Sequence, residues 1–371
     1  MDVLNKLFEK LNLGKIFSFF KLQTTPLVGI DISSSSVKIL ELSRIKNKYR
    51  VETYGIELLP PQTITEQNIK VVSEVTGTLK KLIERVGVNR KFASVAASGS
   101  SVLTRIIQVN AEFKNHQILE QIEVESDKYI PYPLEDVYFD FEVIGPNQTN
   151  LGQIDVLLVA ARLETIETRV AAISEAGLQV TIIDMEALAM ERAFSLLAAQ
   201  LPLEEQDHNI ALIDVGATNT AIYVFQEGRT IYNRDQAFGG MHLTDEIRKR
   251  YGLSVEEAVA AQKSGGLPED YITEVLEPFK ATVVQQISRA FQVFFSSSEE
   301  SKIHHIILAG GVATLPGLDA SIQKALNINT FIANPFANME VSSGINKEIL
   351  VDDAPGLMMA CGLALRTFDN E

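Results

Sequence analysis

Asp31 and Asp214 stand at matching points of two distant stretches. Leu27-Val28-Gly29-Ile30 delivers Asp31 to Ile32-Ser33-Ser34-Ser35-Ser36, and Ile210-Ala211-Leu212-Ile213 delivers Asp214 to Val215-Gly216-Ala217-Thr218-Asn219-Thr220. A tight turn of small or hydroxylated residues lets backbone N–H groups converge on an anion. The carboxylate beside it suits Mg2+, a hard cation that takes oxygen ligands, keeps several waters and bridges protein to phosphate. Two such turns facing each other would clamp one triphosphate. A Gly/Ser/Thr hairpin with an Asp is also an ordinary turn. Its recurrence within one chain is what favours phosphate.

The surrounding pattern supplies the elements that position these turns. Val37 to Leu42 and Ala221 to Phe225 read as return strands, which makes each turn the tip of a hairpin. Ile303 to Leu308 is predicted as a strand ending on Ala309-Gly310-Gly311, where paired glycines let a ligand approach the backbone, and Pro316-Gly317 leads into a helix from Asp319 to Leu326. The same glycines also suit any tight strand-to-helix turn. Between the hairpins, roughly Val95 to Ile182, the chain reads as strand (Val102 to Val109), helix (Asn115 to Tyr129) and buried strand (Ile154 to Ala160), with Pro131 and Pro133 as helix terminators. This stretch is expected to form a subdomain.

A chain of 371 residues is long enough for two lobes with a ligand cleft between them. Its 46% hydrophobic and 22% charged residues are globular values, and no segment approaches the ~20 apolar residues of a membrane-spanning helix. A formal net charge of −15 disfavours nucleic acid as a partner. The single cysteine, Cys361, excludes an intrachain disulfide, the five histidines lack zinc spacing, and a reducing cytoplasm fits both. Val3, Leu4, Leu7, Phe8 and Leu11 recur at helical spacing among Lys6 and Lys10, predicting an amphipathic N-terminal helix that lacks the features of a secretory signal. Docking on the protein, a mobile tail, a partner helix and peripheral membrane contact through residues 1–20 all remain open for it.

Together the two Asp hairpins and the Ala309-Gly310-Gly311 turn resemble the actin, heat-shock chaperone and sugar-kinase superfamily. Within it the closest likeness, from Pro26 onward, is to the PilM family of type IV pilus assembly proteins. That likeness is carried by Val28-Gly29-Ile30-Asp31-Ile32-Ser33-Ser34-Ser35-Ser36-Val37-Lys38 and by Asp127-Lys128-Tyr129-Ile130-Pro131-Tyr132-Pro133-Leu134-Glu135-Asp136-Val137. The resemblance implies an actin-like α/β fold: two lobes on RNase H-like mixed sheets, with an inserted α+β subdomain in the first. The expected divisions are an N-terminal segment 1–24, first-lobe core 25–94, insert 95–182, first connecting helix 183–206, second lobe 207–353 with a helical part around 244–300, and second connecting helix 354–371.

By the same resemblance, ATP and Mg2+ are the cofactors. Asp31, Ser33, Ser34, Ser35 and Lys38 belong to the first phosphate loop and Asp214, Gly216, Ala217, Thr218 and Asn219 to the second. Gly310, Gly311 and Ala313 line the adenosine side, Asp31 and Asp214 hold the metal through water, and Glu186 is the residue that would orient an attacking water. Asp184 could instead cap the helix that contains Glu186. Ser33 replaces a glycine usual in the superfamily, which narrows the approach to the γ-phosphate and argues for at most slow ATPase activity. The implied partner is the cytoplasmic N-terminal peptide of a PilN-like inner-membrane protein, with other pilus platform proteins and assembly ATPases beside it. The implied place is the cytoplasmic face of the inner membrane, in pilus assembly and twitching motility. The alternatives are an FtsA-like membrane-tethered filament protein, against which the short acidic end Leu365 to Glu371 argues, and a small-molecule kinase on the same fold.

Overall fold

The computed structural model describes residues 26–97, 99–147, 149–198, 200–202, 208–298, 300 and 302–368. The N-terminal amphipathic run and the last three residues, on which two of the expectations above rest, lie outside the described residues. The described residues divide into two compact units, one holding those of 26–41, 54–186 and 366–368, the other those of 187–365 and the strip Leu42–Thr53.

The first unit opens on β1 (Leu27–Ile32), six buried residues in a row, as a strand covered on both faces must be. It pairs antiparallel with β2 (Ser36–Ile45), which leads to β3 (Lys48–Leu58). Helix α1 (Val72–Val86) buries Val75, Leu79 and Leu82 at helical spacing and ends on Gly87, whose left-handed backbone (φ 67°) lets its N–H cap the Ile83 carbonyl. β4 (Phe92–Ala97) then returns parallel to β1.

The next segment is a layer of its own: β5 (Val102–Asn110), α2 (Asn115–Val124), α3 (Ser126–Tyr129), β6 (Val137–Pro146) and β7 (Gln153–Arg162), with sheet order β5-β7-β6. Ile118 and Ile122 of α2 cover Ile107, Val109, Val156 and Leu158. Helix α4 (Leu163–Glu175) rejoins the main core through Ile166, Val170 and Ile173, and β8 (Gln179–Met185) closes the sheet beside β4 in the order β8-β4-β1-β2-β3. Ile182 to Met185, expected at the head of a connecting helix, complete this strand instead. The β-branched pair Ile182-Ile183 is buried in register with Ser94 and Val95, and the helix begins only at Glu186.

In the second unit α5 (Glu186–Ala198) is followed by β9 (Asn209–Val215), β10 (Thr220–Gln226), β11 (Arg229–Gln236), α6 (Gly240–Tyr251), α7 (Val255–Ser264) and α8 (Glu277–Ser297). Then come β12 (His305–Ala309), α9 (Leu318–Leu326), β13 (Asn329–Ile332), α10 (Lys347–Asp353) and α11 (Met358–Leu365). The sheet order is β11-β10-β9-β12-β13. Each unit is therefore built on the same plan: a hairpin, a third strand outside it, and two parallel strands on its other side. Phe279, Val283, Ile287, Phe291 and Phe294 form the buried stripe of α8. All eight residues of α11 are buried, and a Cβ at Gly362 would run into the carbonyl of Ala189 on α5, so these helices cross at backbone contact. Burial among them pushes the Cys361 thiol up. Among the described residues no helix is long and apolar enough to cross a membrane.

Candidate functional site

The two Asp turns close in the same way. Two residues after each aspartate an N–H donates to the carbonyl three residues further on: Ser33 to Ser36 at 3.0 Å, Gly216 to Asn219 at 2.9 Å. The neighbouring N–H groups take no part in that closure. Those of Ser34 and Ser35, and those of Ala217, Thr218 and Asn219, find no acceptor among the described residues. Adjacent unpaired N–H groups at a strand end form a concave donor set for an anion.

The first turn is held by side chains. Ser33 Oγ donates to the Ser36 carbonyl at 3.0 Å and lies 3.2 Å from Ser36 Oγ, while Leu59 N–H donates to the Ser35 carbonyl at 2.9 Å. Asp31, 9% exposed, pairs with Lys38 directly across the hairpin, Nζ to Oδ2 2.8 Å. Behind the turn lies Arg169 of α4, 4% exposed, donating from Nη1 to the Ile32 carbonyl at 3.2 Å and from Nη2 to the Gln67 carbonyl at 3.0 Å. Its Nε has no partner among the described residues. Burial pulls its pKa down, while the charges of Glu186 and Asp31 oppose that.

Glu186 and Asp184 part company at the end of β8. Glu186 opens α5 and its Oε2 accepts the Gly99 N–H at 2.8 Å. Asp184 is 1% exposed, accepts the N–H of Met185 at 2.8 Å through Oδ1, and has Arg366 Nε at 4.0 Å from Oδ2. Its carboxylate thus belongs to the strand and to Arg366.

Glycines build the second turn. Gly240 N–H donates to the Gly216 carbonyl at 2.9 Å and Met241 N–H to the Ala217 carbonyl at 2.7 Å, so the first turn of α6 grips the Asp214 turn. A Cβ on Gly239 would stand 2.5 Å from the Gly216 oxygen, and only glycine permits that approach. Thr220 Oγ1 fastens the other side by donating to the Phe238 carbonyl at 2.7 Å. From β12, Gly310 adopts φ 87° with its Cβ position occupied by Val215 O and Asp214 Oδ1, and its N–H donates to the Pro355 carbonyl at 2.8 Å. Gly311 faces open space, whereas Ala313 is fully buried. Gly310 is therefore a packing partner of Asp214, and Gly311 is the one beside which nothing crowds.

Three contributors escaped the reading of the chain, although each left a trace in it. Arg169 sits on the apolar stripe Ile166, Val170, Ile173, where a charge is out of place. Lys280, 6% exposed and paired with Glu277 at 2.8 Å, likewise interrupts the stripe of α8, and its Nζ reaches the Gly317 turn. Gly239-Gly240 follows a strand just as Gly310-Gly311 does. Among the described residues no three His, Cys, Asp or Glu side chains converge. Asp31 and Asp214 fit a cation that completes its shell with water and phosphate oxygens, as Mg2+ does, and not one held in an all-protein cage.

The chain is 24% identical over 353 residues to cell division protein FtsA of Bacillus subtilis, covering 83% of this chain and 78% of FtsA. It is 25% identical over 116 residues to ethanolamine utilization protein EutJ of Salmonella typhimurium, covering 31% of this chain and 38% of EutJ. Among solved structures, that of a PilM-PilN type IV pilus biogenesis complex superposes with a TM-score of 0.77 at 24% identity, over 94% of this chain and 100% of the other. EutJ from Carboxydothermus hydrogenoformans follows at 0.54 and 14% identity, over 97% and 98% of the two chains. The fold is the actin-like ATPase fold. The sequence profile of the type IV pilus assembly protein PilM matches residues 29–368, and the chain belongs to that family.

Proposed function

We propose that this chain is an ATP-binding docking component of the type IV pilus inner-membrane assembly platform. The observation that carries the nucleotide half is the matched pair of turns, each with an aspartate at a strand end and adjacent unpaired N–H groups. In this reading Ser34, Ser35, Ala217, Thr218 and Asn219 donate to phosphate oxygens, and Lys38 exchanges Asp31 for phosphate. Asp31 and Asp214 hold Mg2+ through water, and Gly311 gives the adenosine side close access to the backbone. Bound Mg2+ would supply charge neutralisation to the phosphates. Glu186 is proposed to orient water, with turnover at most slow because its Oε2 is already committed to Gly99.

The docking half rests on family membership and on the similarity to a protein solved with PilN. The proposed partner is the cytoplasmic N-terminal peptide of a PilN-like protein, at the cytoplasmic face of the inner membrane, with nucleotide state setting its affinity. A ligand shifts such an equilibrium only by preferring one state.

Mass analysis of co-purified nucleotide in wild type, Asp31→Ala and Asp214→Ala tests the site. Loss in both variants is expected, and wild-type retention in both would remove the assignment. Titrating the peptide with and without Mg-ATP tests the coupling; equal affinities would sink it and leave the site standing.

A further inference from the structure

The β2–β3 hairpin carries a charge opposite to that of the chain. Between Leu42 and Val51 stand Arg44, Lys46, Lys48 and Arg50 with no acidic residue, in a protein of net charge −15. Lys46 and Asn47 take left-handed conformations, φ 48° and 63°, which makes a two-residue turn matched to strand twist and projects its side chains from the tip. Arg44 is laid along the hairpin, Nη2 donating to Asn47 Oδ1 at 3.3 Å and its guanidinium 5.8 Å from the Tyr49 ring centre. Arg50 lies 3.7 Å from Glu52. Lys46 and Lys48 are exposed and form no ion pair among the described residues. Between the cations, Ile45 is 45% exposed.

Among the described residues no other hairpin tip shares this character. The β10–β11 turn is Glu227-Gly228, and the β6–β7 loop carries Asn147, Asn150 and Gly152. The cations are gathered at one hairpin tip, residues 44–50. A purely acidic protein segment would satisfy the charges but would offer nothing apolar to the exposed Ile45. An anionic bilayer answers both features: headgroups take the cations while a single apolar side chain enters the boundary beneath them.

We infer that the β2–β3 hairpin is a contact site for an anionic phospholipid surface, with Arg44, Lys46 and Lys48 binding headgroup phosphates and Ile45 entering the interface. It needs no nucleotide, so the test separates it from the reading above.

The full chain is sedimented with phosphatidylcholine vesicles, with and without phosphatidylglycerol. Binding only to the anionic vesicles, weakened by salt, is expected. The joint change Arg44→Ser, Lys46→Ser, Lys48→Ser lowers affinity on the order of 100-fold. The chain contains no tryptophan, so Ile45→Trp places one fluorophore at the tip, and its emission shifts to the blue on adding anionic vesicles. Unchanged pelleting of the triple variant overturns the inference, leaving lipid binding to residues 1–24. So does an unshifted Ile45→Trp spectrum, or retention by polyglutamate without vesicle binding. Thermal melts show that each variant is folded, since all four positions lie at the tip.

Discussion

The Asp31 and Asp214 turns share their backbone closure and differ in what surrounds it. Around Asp31 the space is filled by side chains: Lys38 on the carboxylate, Ser33 on Ser36, and a buried guanidinium on the Ile32 carbonyl. Around Asp214 it is kept by the lack of side chains, with Gly216, Gly239, Gly240 and Gly310 all in close contact with the loop or its neighbours. One turn is preset by charge and the other by shape. A charge-set turn can rearrange when a competing anion or cation arrives, because Lys38 and Asp31 can each change partner. A shape-set turn has less room for that, since most of its closest contacts put backbone at a glycine. The comparison teaches that two loops with one hydrogen-bond plan need not respond alike to a ligand.

The harshest way to break the comparison is Gly310→Val. It sets a branched side chain at φ 87° against Val215 and Asp214, and should cost roughly 2–5 kcal/mol and abolish nucleotide retention, read by urea melts and mass analysis. Survival of both would mean that the second turn is softer than its packing implies. Arg169→Met should come next, at about 2–4 kcal/mol, because it leaves the Ile32 and Gln67 carbonyls without their donor. Arg169→Lys is expected to recover charge but not the two-pronged grip, so nucleotide affinity should remain below wild type.

Substitutions at the two aspartates test the contrast directly. Asp31→Asn should lower stability by about 1–2 kcal/mol as well as binding, since it removes the charge that Lys38, only 16% exposed, meets at 2.8 Å. Gly310 packing does not need the Asp214 charge, so Asp214→Asn should weaken binding with little change in melting. Equal stability losses would erase the distinction. Smallest of all is Ser33→Gly. The positive-φ residues do not include Ser33, and glycine there should only loosen the turn, by about 0.5–1 kcal/mol, with nucleotide retention within a few-fold.

Periodicity and turn chemistry made much of this legible. The apolar runs ending in Asp31 and Asp214, the return strands, the Gly-Gly turn after β12 and the helix after Pro316 are local patterns, and local patterns survive in one dimension. The family likeness rested on one of these runs, Val28 to Lys38, and on the separate string Asp127 to Val137. Ile182 to Met185 were misplaced because four apolar or acidic residues fit a helix start as well as a strand end. Only their pairing with β4 decides between the two. Arg169 was overlooked because its importance lies in what it touches 137 residues away.

From the order of its residues alone, the chain determined its two hairpins, their aspartates and small turn residues, its acid balance and its family, since each depends on neighbours in sequence. Which carbonyl a buried arginine would hold, that Lys38 would claim Asp31, that Gly239 and Gly310 would press on the second loop, and that a basic hairpin tip would form on an acidic protein were decided in three dimensions. The physical reason is the range of the forces: backbone turns close over a few residues, whereas the charge and packing around them come from segments that only the folded core brings within contact distance.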